Sequence, residues 1–336
     1  MAIAEELTRI QTAKTNIKTA VASKGVTIPD SALISEYPRY INNINVTPCK
    51  KIPLRELWLE RTDYDGKENA VLTITKFTDD KNLEYSLDET NQWKTYINGE
   101  KITIKPHQRI YLRGDNPKGF NKNFESASVL TVDKPFKAGG NIMSLISAKN
   151  FNDITVVPDW SFTCLFQSQL NIKSVPDCSN IIVIGSNGFA NCFQNSGVTK
   201  GGSFTSLTEV NLDAFSYAFS GCNDLAEACE FPVLTTIAKN TFYNAYATCP
   251  LLKNGGDYSS ITKIDGEAAF YQAFSGTNVT IIKTPNITEW NPTTFTEWLS
   301  KIPTTGVVRK PANLTIPIDS DSGVPAGWTV ENYDEN

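Results

Sequence analysis

Residues 234–249 read LTTIAKNTFYNAYATC, and stretches of the same design recur along the second half of the chain. Each contains two aromatic residues four positions apart. Five such pairs are present: Phe162 and Phe166, Phe189 and Phe193, Phe215 and Phe219, Phe242 and Tyr246, and Phe270 and Phe274. Their first members are separated by 27, 26, 27 and 28 residues, and Phe295 and Leu299 continue the series after 25 more. Periods of this length are typical of solenoids and related arrays.

From the second pair onward, an apolar couple precedes the aromatic pair, as Leu234 and Ile237 do here. A spacing of four places both rings on one face of a helical turn, while the couple fits a short extended stretch. The pattern therefore predicts a strand, a turn and a short helix per unit, with the ten rings forming the repeat core. We expect this array to span residues 142–336 and to end in an apolar cap at residues 323–330.

Residues 46–141 contain short segments with strand composition, spaced as in antiparallel β proteins. Asn98-Gly99 separates two of them, residues 93–97 and 101–104, and Asn-Gly is a strong hairpin signal. This region is predicted to be an antiparallel β-sandwich.

Residues 1–45 carry the pattern of one apolar stripe along a helix. The residues of the stripe are Ile3, Leu7, Ile10, Ile17 and Val21. Because the stripe exceeds what a small helical hairpin can bury, we expect an oligomerisation or docking segment; packing on the next domain is the alternative. The whole chain is thus predicted to be an α+β multidomain protein: a helical segment, a β-sandwich and a solenoid.

Composition excludes several classes of partner. The 336 residues carry a formal net charge of −5 without a long Lys/Arg block, which argues against a nucleic-acid partner. No apolar run approaches the roughly 20 residues of a membrane span, so we expect no membrane insertion. The first 21 residues alternate polar and apolar side chains, unlike a signal peptide, so we expect no Sec export. The seven cysteines are expected to be reduced thiols that pack as small apolar residues, which predicts synthesis in a cytoplasm.

Candidate catalytic and metal-binding groups are few. His107 is the single histidine, and the seven cysteines form no CxxC pair, so we expect no catalytic residue, no cofactor and no metal site. The repeat positions of Cys222 and Cys249 predict one column of the stack rather than a metal site. Residues 63–69 and 319–323 only loosely resemble calcium loops, because their glycines are misplaced.

Some aromatic residues beside or within the core pairs are candidates for ligand contacts, since rings stack on carbohydrate faces. Core packing is an equally good interpretation of each. They are Tyr217, Tyr243, Tyr246, Tyr258, Tyr271 and Trp298.

The unit from Leu234 to Cys249 resembles the leucine-rich repeats of the BspA type, which occur in surface proteins of Bacteroidales and in the phages of these bacteria. The resemblance covers about residues 142–330, and segments 83–93, 111–116 and 139–145 are similar to the β-domain that precedes such repeats. It implies a leucine-rich-repeat fold and a non-enzymatic structural component of a bacteriophage virion.

In this interpretation the protein is a head or tail fibre or decoration protein that is made in the host cytoplasm. The N-terminal segment would bind other virion proteins as a dimer or trimer, and the array would adhere to a host surface glycan or protein. A bacterial BspA-like surface adhesin is the alternative, and a glycan-degrading tail enzyme is a less favoured one.

Overall fold

The computed structural model describes residues 55–62, 68–87, 92–319 and 321–333, together with five residues near the amino terminus. The chain divides into two compact units, residues 1–53 and residues 54–336. In the first unit the described residues are helical; they are Gln11, Lys14, Thr15, Ile17 and Lys18.

The predicted α+β class is wrong. The described residues are almost entirely β and contain no helix of seven or more residues, so the helical segment predicted at residues 1–45 is not supported. Most of that segment lies outside the described residues. The array is a β-solenoid, not a leucine-rich-repeat fold with one short helix per unit. In the described part of the second unit, the helical element is a 3-10 turn at Ile142–Leu145.

Two antiparallel sheets open the second unit. Their inward residues alternate with outward ones, as in Leu57 and Leu59 of the first strand, and enter one core. The sheets have the strand orders β4-β3-β6-β1-β8 and β5-β2-β7. The strands are β1 (Leu57–Arg61), β2 (Ala70–Thr75), β3 (Glu84–Ser86), β4 (Lys94–Thr95), β5 (Ile102–Ile104), β6 (Arg109–Arg113), β7 (Val129–Val132) and β8 (Phe136–Gly139).

The predicted hairpin at Asn98-Gly99 is replaced by a connection between the two sheets. The strand before the turn, β4, pairs with β3, whereas β5 after it pairs with β2. Glu100 N–H still donates to Ile97 C=O at 2.9 Å, so the turn itself forms. Local chemistry fixes the turn, but the tertiary packing decides which strands pair.

The sandwich continues directly into the first coil of the solenoid. Phe136 of β8 forms a parallel bridge with Ile172, and Asn141 does so with Asp177. On the other sheet, Leu130 N–H donates to the carbonyl of Leu165 at 2.8 Å. The sandwich therefore covers the first coil and joins its hydrogen-bonding pattern.

Parallel sheets form two sides of the solenoid. One has the order β14-β12-β11-β10-β9 and the other β13-β15-β16-β17. The strands are β9 (Val156–Val157), β10 (Val183–Ile184), β11 (Glu209–Val210), β12 (Thr236–Ala238), β13 (Asn254–Asp257), β14 (Lys263–Asp265), β15 (Ile281–Lys283), β16 (Val307–Lys310) and β17 (Thr329–Asn332).

The aromatic pairs lie on a third side, which we call the turn ribbon: residues 160–168, 187–195, 213–221, 240–248 and 268–276. Successive backbone N–H groups of the ribbon donate alternately to a carbonyl of the next coil and to a carbonyl of their own coil. Phe189 N–H donates to Ala214 C=O of the next coil at 2.9 Å, and Ala190 N–H donates to Asn187 C=O within its own coil at 3.2 Å. Consecutive β-turns thus replace the predicted helix.

Positive φ at every fourth residue makes this chain of turns possible. Asn187, Asn191 and Asn195 have φ of 56°, 55° and 54°, and equivalent positions in the other coils are also positive. Asparagine tolerates this left-handed region better than most residues. A spacing of four between rings therefore fits consecutive turns as well as it fits a helix.

Three tryptophans close the far end of the core. Each indole N–H donates to a backbone carbonyl: Trp290 to Ser322 at 3.1 Å, Trp298 to Gly323 at 2.7 Å and Trp328 to Pro303 at 2.9 Å. The rings cover apolar surface while their polar edges are satisfied, which suits an end cap.

Candidate functional site

The ten predicted core rings lie inside the solenoid, each with 2% or less of its surface exposed. Rings of successive coils stack: Phe166 and Phe193 have centroids 5.5 Å apart and planes 13° from parallel, and Phe219 follows Phe193 at 5.3 Å and 10°. They sit on consecutive β-turns rather than on the short helices that the spacing predicted. These residues build the rod and are closed to ligands. The ten are Phe162, Phe166, Phe189, Phe193, Phe215, Phe219, Phe242, Tyr246, Phe270 and Phe274.

The predicted docking residues are described at one position. Ile17 is helical and 39% exposed. Ile3, Leu7, Ile10 and Val21 lie outside the described residues. The docking role of this stripe stays a prediction.

A second aromatic column was not recognised in the sequence. Phe204, Phe231 and Tyr258 are buried at intervals of 27 residues and pack edge-on against the first members of the pairs. Phe204 and Phe215, for example, are 5.1 Å apart at 85°. The repeat period alone could have revealed this column, because its members recur at the same interval.

The candidate ligand-contacting aromatics divide into two groups. Tyr246, Tyr258 and Trp298 are buried, each 1% exposed. Tyr217, Tyr243 and Tyr271 are half-buried on the turn ribbon. Tyr243 and Tyr271 stack at 4.6 Å and 10°, so each covers a face of the other. These three tyrosines therefore expose mainly their ring edges, which are poorly suited to stacking against sugar faces.

A cleft lies across the sheet that contains β13 and β15. Its volume is about 720 Å³, within the range of small-molecule sites. Four successive coils line it, through residues 227–232, residues 254, 256, 257, 259 and 260, residues 281–283, and Arg309. Since neighbouring strands lie about 4.8 Å apart, the cleft runs roughly 14 Å along the solenoid axis.

An irregularity in β13 accompanies the cleft. The pairing of β13 with β15 shifts register between Asn254 and Asp257. Gly256, within this shift, has φ of +100°, and the atoms nearest to a side-chain carbon added there belong to Ala228 and the Tyr258 ring, at 3.6 Å or more. Small residues and a bulge thus leave a hollow in the sheet face, and bulges of this kind are common beside functional sites.

The charged residues of the cleft are paired. Asp257 accepts from Lys283 Nζ at 2.8 Å, and Glu227 forms an ion pair with Lys200 at 2.6 Å. Arg309 bonds Glu331 through Nε at 3.2 Å. The cleft is therefore rich in donors and acceptors but has little unbalanced charge.

Three carboxylates in one cleft, Glu227, Glu230 and Asp257, invite comparison with glycoside hydrolases. Such enzymes need one carboxyl with a raised pKa as the proton donor. Burial opposes ionisation of Asp257, but hydrogen bonds from Lys283 and Ser259 outweigh it and hold its pKa below the usual value. Glu230 accepts from the Ser203 hydroxyl at 2.9 Å. Asp257 is therefore placed to accept hydrogen bonds rather than to donate a proton.

The six described cysteines are free and buried. Cys222 and Cys249 occupy one column, as predicted, and their thiols lie 2.9 and 3.1 Å from the carbonyls of Phe193 and Phe219. Burial raises the pKa of Cys164 and Cys222 to about 11 and that of Cys229 to about 12. These thiols pack as small apolar groups that donate weakly.

Native protein at pH 8 should accordingly react with a thiol reagent such as DTNB at no more than one cysteine per chain, Cys49, which lies outside the described residues. Both inaccessibility and the scarcity of thiolate suppress reaction at the other six. All seven should react in guanidinium chloride. Rapid labelling of two or more cysteines in folded protein, mapped by mass spectrometry, would contradict this account.

The loosely calcium-like loops are partly described. Asp319 Oδ1 accepts the N–H groups of Asp321, Ser322 and Gly323 at 2.7–2.9 Å, which lower the pKa of Asp319. This carboxylate serves as a turn cap. Of residues 63–69, five lie outside the described part. His107 is a turn residue with φ of 62°.

Within the described ranges, no group of three or more His, Cys, Asp or Glu side chains could hold a metal ion. In the same ranges, no helix is long and apolar enough to cross a bilayer. Comparisons of the chain with protein-family models, curated proteins and solved structures gave no match in any of the three.

Proposed function

We propose that this chain is a non-enzymatic structural and adhesion protein in which a capped β-solenoid presents a binding surface. One observation carries the proposal: a single apolar core runs from the sandwich through every stacked ring to the terminal tryptophans. Each coil contacts only its neighbours, so the number of coils sets the length of the array without altering any one unit. Such an architecture suits a projecting rod.

We further propose that the protein belongs to a bacteriophage particle, on which residues 1–45 hold two or three copies to other virion proteins. Two features support this placement. The repeat motif at residues 234–249 resembles BspA-type repeats, which occur in Bacteroidales surface proteins and in the phages of these bacteria, and a solenoid is suited to form a fibre or decoration on a particle. Several copies on one particle would convert weak individual contacts into firm attachment to a host surface.

Immunogold labelling of purified particles tests the placement, with an antibody raised against residues 142–333. We expect gold at regular positions on the head or tail and the chain among the particle proteins after gradient purification. Gold on the envelope of uninfected bacteria would instead identify a surface adhesin. Chain recovered only in the particle-free lysate would contradict both placements.

A glycan-degrading enzyme is a second candidate because Glu227, Glu230 and Asp257 line one cleft. An assay for new reducing ends on oligosaccharides, with the Glu227→Gln/Glu230→Gln double variant as its comparison, separates the two functions. Our proposal predicts no release by either protein. Release that is lost in the double variant would establish the enzyme.

A further inference from the structure

We propose that the cleft across β13, β15 and Arg309 is a binding site for a neutral oligosaccharide. The inference rests on the proposed adhesion function and assigns its ligand class.

The floor of the cleft is apolar and shallowly hollowed. Ala228 and Ile281 are partly exposed and contribute aliphatic surface, and the register shift at Gly256 provides the depth. Sugar rings carry C–H groups on their faces, and these pack on aliphatic surface as other apolar groups do. A cleft about 720 Å³ in volume that follows the solenoid axis suits a short linear chain of such rings.

Hydroxyl groups match the polar residues along this floor. A hydroxyl donates one hydrogen bond and accepts others, so it can bond a carboxylate and an ammonium at the same time. Asp257 and Lys283 present that combination 2.8 Å apart, and Ser259 lies within 2.9 Å of the same carboxylate. A neutral polyol can use both partners without separating them.

Charged ligands fit less well. Glu227, Glu230 and Asp257 oppose an anion, and Lys283 and Arg309 oppose a cation. Each of these side chains already has a partner, which a charged ligand would have to displace in exchange for desolvation. The near balance of charge therefore favours a neutral molecule.

An extended peptide is also disfavoured. Peptides that add to sheets bind an open edge, where main-chain groups are unpaired. Here β15 is hydrogen-bonded to β13 on one side and to β16 on the other, so the cleft presents a sheet face. The face of these paired strands therefore offers mainly side chains, and these are the groups that select hydroxyls.

Two variants test the site, each with a matched control. Ala228→Leu fills the hollow without removing a polar group, and Ala226→Leu makes the same change on an exposed position outside it. Asp257→Asn weakens the Asp257–Lys283 pair. Asp265→Asn does the same to the exposed pair with Lys263 on the opposite sheet.

The probes are an array of neutral oligosaccharides beside sialylated and sulfated ones and a peptide array, with calorimetry on the best binder. We expect neutral binding that falls about tenfold or more in Ala228→Leu and Asp257→Asn and persists in both controls. Thermal unfolding checks that each variant folds.

Three results would overturn the site. They are preference for acidic glycans, preference for peptides, and neutral binding that survives Ala228→Leu. Failure to bind any probe by a chain that immunogold labelling places on particles would also reject this site, while the structural role would stand. Chain found only in the particle-free lysate would reject the proposed function instead, so the two failures are distinguishable.

Discussion

Replacing Phe215 with alanine is expected to lower the free energy of unfolding by about 3–5 kcal/mol. Its ring is 2% exposed and lies between coils, with Phe189, Phe204, Phe231 and Phe242 at centroid distances of 5.1–5.8 Å. Truncation would leave a cavity between the two aromatic columns. The neighbouring rings are held in place by their own coils, so they cannot move to fill it. Urea denaturation followed by tryptophan fluorescence and circular dichroism measures the loss.

Phe124→Ala is the matched control for that variant. The ring of Phe124 is 45% exposed and touches Trp160 edge-on at 5.0 Å. Its removal opens no interior cavity, so a loss of about 1 kcal/mol or less is expected. If the two substitutions cost the same, the stacked columns would not be the main source of stability in the array.

Gly140→Ala is expected to destabilise the chain by about 3 kcal/mol or more. Gly140 has φ of +71°, and a side-chain carbon added there would lie 2.1 Å from the backbone carbonyl oxygen of Glu56. Positive φ costs a residue with a side chain about 1–2 kcal/mol, and the backbone cannot withdraw cheaply because this point joins the sandwich to the solenoid. Chemical denaturation again gives the magnitude.

Gly99→Ala separates the two causes. Gly99 has a similar φ of +82°, but an added side chain would meet nothing within 4 Å. Only the conformational cost should remain, about 1 kcal/mol. A Gly140→Ala variant no less stable than Gly99→Ala would show that the close approach to Glu56 can relax.

The period of the array was readable from the sequence because each coil repeats one spacing. Burial of a ring depends on its position in the coil. The five aromatic pairs, from Phe162 and Phe166 to Phe270 and Phe274, occupy the same buried position in five successive coils. The class was missed because a spacing of four fits a helical turn and a β-turn chain equally. Asparagines at 187, 191 and 195 are the signal that separates the two.

The cleft could not have been predicted from the sequence. Its walls come from residues separated by one, two and three coils, and its depth depends on a register shift at Asn254 and Asp257. The chain also gives no local sign that Asn98-Gly99 links two sheets, since strand pairing there is decided by distant partners. Both features follow from contacts between remote segments.

The turn ribbon has an electrical consequence. Its inter-coil hydrogen bonds all run one way, from the N–H of an earlier coil to the C=O of a later one, from Trp160 to Gly276. Their peptide dipoles therefore add along the rod, as they do in a helix, with the negative pole at the sandwich and the positive pole at the tryptophan cap. The two ends of the ribbon are electrically unlike, which favours head-to-tail over head-to-head alignment of neighbouring copies.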